Sequence, residues 1–286
     1  MIRRAVKRRL NDRLDRRASP IDVVDLDRPT VVLAPHPDDE TLGCGGLVAI
    51  KRSRGVPVTV VFMTDGAGSH AQLMPTDELA ARRRAEATTA SGIIGIEPAN
   101  VRFLPFPDGG LAESFDPAVE CVREILRQSS ATQLLVPHPD EPPSDHSVTY
   151  RIAVEAVRQN GVTLDAFLYP VWLWDQWPWT NPLAPPRARH SLRAVVRRAV
   201  RGRGGLALCA KLRHKVDIGA VVDRKRDALA AHATQTSRLN GRSDWLTLGD
   251  VAHGEWLGQQ MIGTEYFARA VLSGEPGSPR SAGRSR

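Results

Sequence analysis

Cysteine is scarce in this chain. Its 286 residues contain only Cys44, Cys121 and Cys209, an odd number, widely spaced and with no CxxC pair. That excludes a disulfide framework and a thiolate zinc finger, and leaves small buried or half-buried thiols. Aromatic residues make up only 5% of the sequence, and no nucleic-acid-binding motif accompanies its basic charge, which argues against nucleic acid as a partner. No apolar run approaches the length of a membrane span. Acidic residues are missing altogether from Arg187 to Lys215. No internal repeat is present, and nothing in the sequence reports an oligomeric state.

What remains is ordinary for a soluble globular protein: 42% hydrophobic and 25% charged residues. The length fits one large α/β domain with insertions, or one domain with a small appendage. The net charge of +7 is concentrated in two blocks, Arg3 to Arg17 and Arg187 to Lys215. In the first, Ile2, Val6, Leu10 and Leu14 form an apolar stripe on a basic helix. Leu192, Val195, Val196, Ala199 and Val200 do the same in the second. Basic amphipathic helices can lie on anionic lipid; the alternative is a solvated arginine-rich face. The first 20 residues have the charge of a signal peptide without its apolar core, so a cytoplasmic protein is expected, in peripheral contact with the inner face of the membrane if the basic helices bind lipid.

Strand and helix patterns alternate along the chain. Thr30 to Leu33, Val58 to Gly66, Val101 to Phe106, Gln133 to Pro139 and Ala166 to Trp172 read as strands. Leu42 to Ser53, Thr76 to Ile94, Pro117 to Gln128 and Val148 to Gln159 read as helices. Such alternation predicts a mainly parallel sheet with helices on both faces. Beyond Trp172 the regularity fails: WLWDQWPWTNPLAPPRAR holds four Trp and four Pro, too much proline for a regular element. It reads either as a lid or wall over a site or as a packed surface loop. The expected organisation is a basic segment at 1–20, one domain at 21–273 with an insertion at 175–215, and a disordered tail at 274–286.

The most informative stretch is TVVLAPHPDDETLGCGG, Thr30 to Gly46. A β-branched apolar run stops at Pro35, and His36, Asp38, Asp39 and Glu40 follow within five residues. An open α/β sheet places its ligands at the carboxyl ends of its strands. Imidazole and carboxylate together suit a zinc-type ion, and a leftover carboxylate suits a general base. A third protein ligand is needed, and PHPDEPPSDHSVTYR offers His138 and His146.

The segment APHPDDETLGCGG resembles the signature of the LmbE-like, or PIG-L, family of zinc-dependent N-deacetylases, which act on N-acetylglucosaminyl lipids and thiol precursors. The resemblance covers roughly residues 28 to 160, and more faintly 223 to 236. It implies a Rossmann-like three-layer α/β fold, one Zn2+, and an amino-sugar conjugate as substrate. It also implies that His36 and Asp39 are zinc ligands, that Asp38 is the base, and that His146, in the Asp145-His146 pair, is the third ligand. Many members carry a further His three residues before that ligand; here the position is Pro143, and His138 is the candidate to take over its electrophilic role. Glu40 would orient His36 or cap the following helix.

Softer matches follow. Arg83 and Glu86, in the family's Arg-x-x-Glu pattern, stand one turn apart: Arg83 would bind a substrate hydroxyl or phosphate, or simply pair with Glu86. Asp108 in PFPDGG would accept from sugar hydroxyls, or form a turn; Asp65-Gly66 reads as a turn. Lys225 and AHATQTS, Ala231 to Ser237, resemble a family pattern near the site without an assigned chemistry. The leading expectation is removal of an acetyl group from a 2-amino sugar. The alternatives are an amidase of a larger conjugate and a non-catalytic nucleotide- or sugar-binding module using Gly43, Gly45 and Gly46.

Overall fold

The structure, a computed structural model, describes residues 2–181, 184 and 205–274. In chain order the elements are α1 (Ile2–Arg17), β1 (Ser19–Pro20), α2 (Val23–Leu26), β2 (Thr30–Ala34), α3 (Asp39–Ser53), β3 (Val58–Thr64), α4 (Thr76–Ile93), β4 (Val101–Phe106) and α5 (Phe115–Gln128). There follow β5 (Gln133–Pro137), α6 (Ser144–Asn160), β6 (Thr163–Tyr169), α7 (Leu206–Lys211), β7 (His214–Asp217), α8 (Val222–Ala231), α9 (Ala233–Thr236), α10 (Glu255–Gln260) and β8 (Thr264–Ser273).

One eight-stranded sheet runs β1-β7-β8-β6-β5-β2-β3-β4. The strands from β4 across to β6 are mutually parallel. Every residue of β2 and of β5 is buried, as central strands covered on both faces must be, and this is why their sequences are continuous apolar runs rather than alternations. The chain winds outward from β2 in one direction through β3 and β4, then returns to β5 on its other side. β2 and β5 therefore flank a topological switch point, where an α/β sheet opens a crevice at its strand ends. Helices α3, α4 and α8 pack together in one outer layer and α5 against α6 in the other. On α5, Ala118, Val119, Val122 and Leu126 turn inward at helical spacing.

Several boundaries move. Helix α3 begins at Asp39 rather than Leu42, and α6 at Ser144 rather than Val148, so Asp39 and His146 both lie in first helical turns. Strand β6 ends at Tyr169, not Trp172, because Pro170 cannot extend the ladder and Trp172–Trp174 winds into a 3-10 turn. The antiparallel strand β8 pairs with both β6 and β7, and the sequence reading did not include it.

One expectation for the flanks is corrected. The stripe on α1 does not face outward: Leu10 and Leu14 are buried in the main core and Val6 packs against it, leaving Ile2 exposed. This helix therefore presents arginines, not an apolar face, to its surroundings. The Trp/Pro-rich stretch, where described, is packed. Trp174 and Trp179 are buried and meet edge to face at 5.3 Å, and Trp179 Nε1 donates to Asn11 of α1 at 2.8 Å. The second basic stripe, Leu192 to Val200, and residues 275–286 of the tail lie outside the described residues. Among the described residues no helix is long and apolar enough to cross a membrane.

Candidate metal and catalytic site

The ends of β2 and β5 bring His36, Asp39 and His146 together, with one ligand-type atom from each within 4.8 Å of the others. His36 Nδ1 and His146 Nε2 each stand 3.2 Å from the same oxygen, Asp39 Oδ2. His146 is fully buried, and neither of its ring nitrogens makes a well-directed hydrogen bond. A buried imidazole in that state is anomalous unless something else engages it. Burial disfavours the charged form of His146, yet Asp39 and Glu141 overcome this and raise its pKa to about 9. Burial likewise opposes ionisation of Asp39, and the neighbouring His146 and His36 win, holding its pKa below the usual carboxylate range. The pocket stabilises positive charge. Two imidazoles and a carboxylate are a donor set that suits zinc, and these residues fit such an ion.

Around this cluster stand carboxylates that the sequence reading passed over or assigned elsewhere. Glu141 lies 3.3 Å from His146 Nδ1 and accepts the N–H groups of Val171, Trp172 and Leu173 at 2.7–3.0 Å. It thus ties the turn after β6 to the imidazole, as an orienting partner of a metal-binding His does. His36 Nε2 faces Asp108 Oδ1 at 3.1 Å and Asp145 Oδ2 at 3.3 Å. Asp145 also accepts the Gly109 N–H at 2.8 Å, fixing the loop that carries Asp108.

Asp38 sits between strand and helix with φ 137° and ψ −24°, a region that non-glycine residues rarely occupy, at a cost of roughly 1–3 kcal/mol. Its side chain is buried. Burial, reinforced by the charge of Asp39, pushes its pKa up to about 8, into the range useful for a general base. Glu40 does not touch His36. Its two oxygens accept the Asp38 N–H at 3.0 Å and face His232 Nε2 at 3.0 Å. His232 is fully buried and was not singled out from the sequence, although the AHATQTS match was its signal.

Arg83 and Glu86 do not pair. Arg83 is buried and donates to the Gly66 carbonyl and to Ser69 Oγ, while its Nε has no partner. Glu86 instead accepts from the backbone and hydroxyl of Thr234 at 2.9 and 2.7 Å. Asp65 forms the expected turn, accepting from the N–H groups of Ala67 and Asp108. His138 is not joined to the cluster by any hydrogen bond or ion pair among the described residues. Its Nδ1 accepts the Asp140 N–H at 3.1 Å, a turn contact, and burial lowers its pKa. Pro143 precedes the first turn of α6 in an extended conformation.

The glycines argue against a phosphate cradle. A Cβ on Gly43 would stand 2.2 Å from Tyr169 Cδ2, and one on Gly46 2.5 Å from Ile218 Cγ2. They allow close packing of α3, whose first turn carries Asp39 and Glu40 rather than open N–H groups. Farther along α3, a buried ion pair intervenes. Glu265 of β8 accepts the N–H groups of Gly46 and Leu47 at 2.8 Å, while Lys225 of α8, 2.7 Å from Glu265, donates to the Leu42 carbonyl at 2.9 Å. The N–H of Gly46 and the C=O of Leu42 are partners in a regular helix; here each also meets one member of the Lys–Glu pair.

Comparison with known proteins agrees with this geometry. The family model of the GlcNAc-PI de-N-acetylases, PIG-L, matches residues 31–157. The 1D-myo-inositol 2-acetamido-2-deoxy-alpha-D-glucopyranoside deacetylase of Nocardia farcinica is 32% identical over 241 residues, 70% of this chain and 78% of the relative. A probable N-acetyl-alpha-D-glucosaminyl L-malate deacetylase of Bacillus cereus is 26% identical over 226 residues, 75% of this chain and 86% of the relative. Among solved structures, the N,N'-diacetylchitobiose deacetylase of Pyrococcus horikoshii superposes with a TM-score of 0.60 at 20% identity, over 96% of this chain and 94% of that one; this is a likeness of fold. The strand-end cluster and the sequence relationship together make this chain a member of the PIG-L, or LmbE-like, deacetylase family.

Proposed function

We propose that this protein is a zinc-dependent hydrolase that removes the acetyl group from the 2-amino group of an N-acetylglucosamine-type conjugate. The observation that carries the reading is Asp38, a buried carboxylate with a raised pKa, placed next to the His36, Asp39 and His146 cluster. The relatives' activities on inositol- and malate-linked amino sugars support the substrate class.

His36, Asp39 and His146 would hold the ion. Zinc in such a site supplies Lewis acidity toward a carbonyl oxygen and makes a water easier to deprotonate. Asp38 takes the proton from water as its oxygen attacks the amide carbon, and returns that proton to the nitrogen as the C–N bond breaks. The products are acetate and a free amine. Glu141 and the Asp108–Asp145 pair keep the two imidazoles in fixed orientation. Asp108, on the more open side of His36, is the residue we assign to sugar hydroxyls. Arg83 donates from its two Nη groups to Gly66 and Ser69, so its contribution to the substrate runs through the loop it holds. His138 would reach substrate only as a secondary electrophile.

The test is mass-spectrometric screening of the zinc-loaded protein against N-acetylglucosaminyl lipids, thiol precursors and glycosides. Loss of one acetyl group from at least one class, abolished in Asp38→Asn, is expected. Cleavage only of larger acyl groups would favour the amidase reading, and no cleavage of any class would overturn the proposal. We further propose that the exposed arginines of α1 give a salt-sensitive attraction to anionic lipid without apolar insertion.

A further inference from the structure

The peptide bond between Pro37 and Asp38 is gripped at both ends. Its carbonyl, on Pro37, accepts from Gln235 Nε2. Its N–H, on Asp38, donates to Glu40 Oε2 at 3.0 Å. The other oxygen of Glu40 faces His232 Nε2 at 3.0 Å and accepts from Thr41 Oγ1 at 2.6 Å. Rotation about the N–Cα bond of Asp38 is measured from this peptide plane to the Cα–C bond of Asp38. The Asp38 carbonyl accepts the N–H groups of Thr41 and Leu42 at 3.0 and 2.8 Å. With that side held by the helix, fixing the plane fixes φ, and φ here is 137°. Both distant contributors, His232 and Gln235, come from one short stretch and are buried. That stretch is itself anchored: Thr234 donates twice to Glu86, and its carbonyl accepts from Trp245 Nε1 at 2.8 Å.

We propose that residues 232–235 form a clamp that holds Asp38 in its unfavourable backbone conformation, making His232, Gln235 and Glu40 positioning residues for the base. The inference rests on the role proposed above for Asp38. A residue in this region of φ relaxes unless its surroundings over-determine it. A side chain displaced by about 1 Å can lose roughly 100-fold in rate. None of the three clamp residues needs to touch substrate: their effect passes through one peptide plane. His232 Nδ1 is buried without a partner, so the single contact through Nε2 carries the whole of its polar engagement.

The experiment measures kcat, KM and zinc content for His232→Ala, Gln235→Ala and His232→Gln on the conjugate turned over fastest, alone and in an Asp38→Asn background. A side-chain amide on Gln can present its N–H near the position of His Nε2. We expect each Ala variant to lower kcat roughly 10- to 100-fold, with KM within about twofold and one zinc per chain, and His232→Gln to recover most of the loss. In the Asp38→Asn background, followed by single-turnover measurement, His232→Ala should have no further effect. Undiminished kcat in zinc-loaded His232→Ala and Gln235→Ala would overturn the clamp, as would a loss that persists in full when Asp38 is already replaced. Should His232→Ala not fold, Gln235→Ala, which releases the other end of the same peptide, decides. Near-normal turnover in Asp38→Asn alone is a different outcome: it removes the base role itself.

Discussion

Residues 30–169 carry every ligand-type side chain of the cluster; residues 205–274 carry none, yet they hold the backbone on which those side chains stand. The first region is a parallel α/β unit whose strand ends converge at a switch point. The second is a set of short helices and two antiparallel strands that wraps back over it. Two of its contacts bear on the segment after β2: one on the Pro37–Asp38 peptide, the other on the middle of α3 through Lys225 and Glu265. The difference separates chemistry from support. Reacting groups can sit on one contiguous segment while their precision comes from sequence nearly 200 residues away, since Glu40 and His232 are 192 positions apart.

Substitutions in the two regions should therefore fail differently. The largest effect is expected from His146→Ala, which removes a buried imidazole of the candidate metal cluster from the first region. Metal analysis should show most of the bound zinc lost and activity with it, whereas full stoichiometry would reassign the third ligand. Asp38→Asn comes next: zinc and fold are kept, and kcat falls by about two or more orders of magnitude. In the second region, Lys225→Met leaves Glu265 buried without its cation. Breaking a buried pair in this way costs roughly 3–5 kcal/mol, to be read from urea unfolding; an unchanged midpoint would show that α3 does not depend on the pair. Gly43→Ala drives a methyl into the ring of Tyr169, which is buried and hydrogen-bonded to the Leu33 carbonyl at 2.7 Å. Such overpacking costs about 1–3 kcal/mol, measured in the same way. The smallest effect is expected at α1. Anionic vesicles should retain the protein weakly at low salt and release it as salt screens the arginines; equal binding to neutral vesicles would leave that surface merely solvated.

The same contrast explains what could be read in advance. Strands β2, β3 and β5 were legible because central parallel strands are largely unbroken apolar runs, and the motif after β2 stood out because carboxylates have no packing reason to follow such a run. His146 was legible through its Asp-His pair. The clamp was not. His232 and Gln235 act through single hydrogen bonds to a remote loop, and neither periodicity nor composition encodes that pairing. Glu40 was visible with two roles open, orienting His36 or capping the following helix; the turn directs its oxygens to the N–H of Asp38, at the start of that helix, and to His232. The stripe on α1 illustrates the reverse difficulty. Amphipathic spacing says that one face is buried without saying against what, and Leu10 and Leu14 found the protein's own core.

Synthesis order gives the Lys225–Glu265 pair a further meaning. Asp39 leaves the ribosome early, at the start of α3, but the same helix takes two of its mid-length N–H partners from a residue on the last strand. Until Glu265 emerges, the stretch from Leu42 to Leu47, with its Gly-Cys-Gly-Gly run, lacks the buried carboxylate that accepts from Gly46 and Leu47 and pairs with Lys225. A nascent chain would thus have His36, Asp39 and His146 translated while the helix that starts at Asp39 still lacks its partner from β8. The surroundings of α3, and with them the setting of Asp39, would be complete only when β8 docks beside β6.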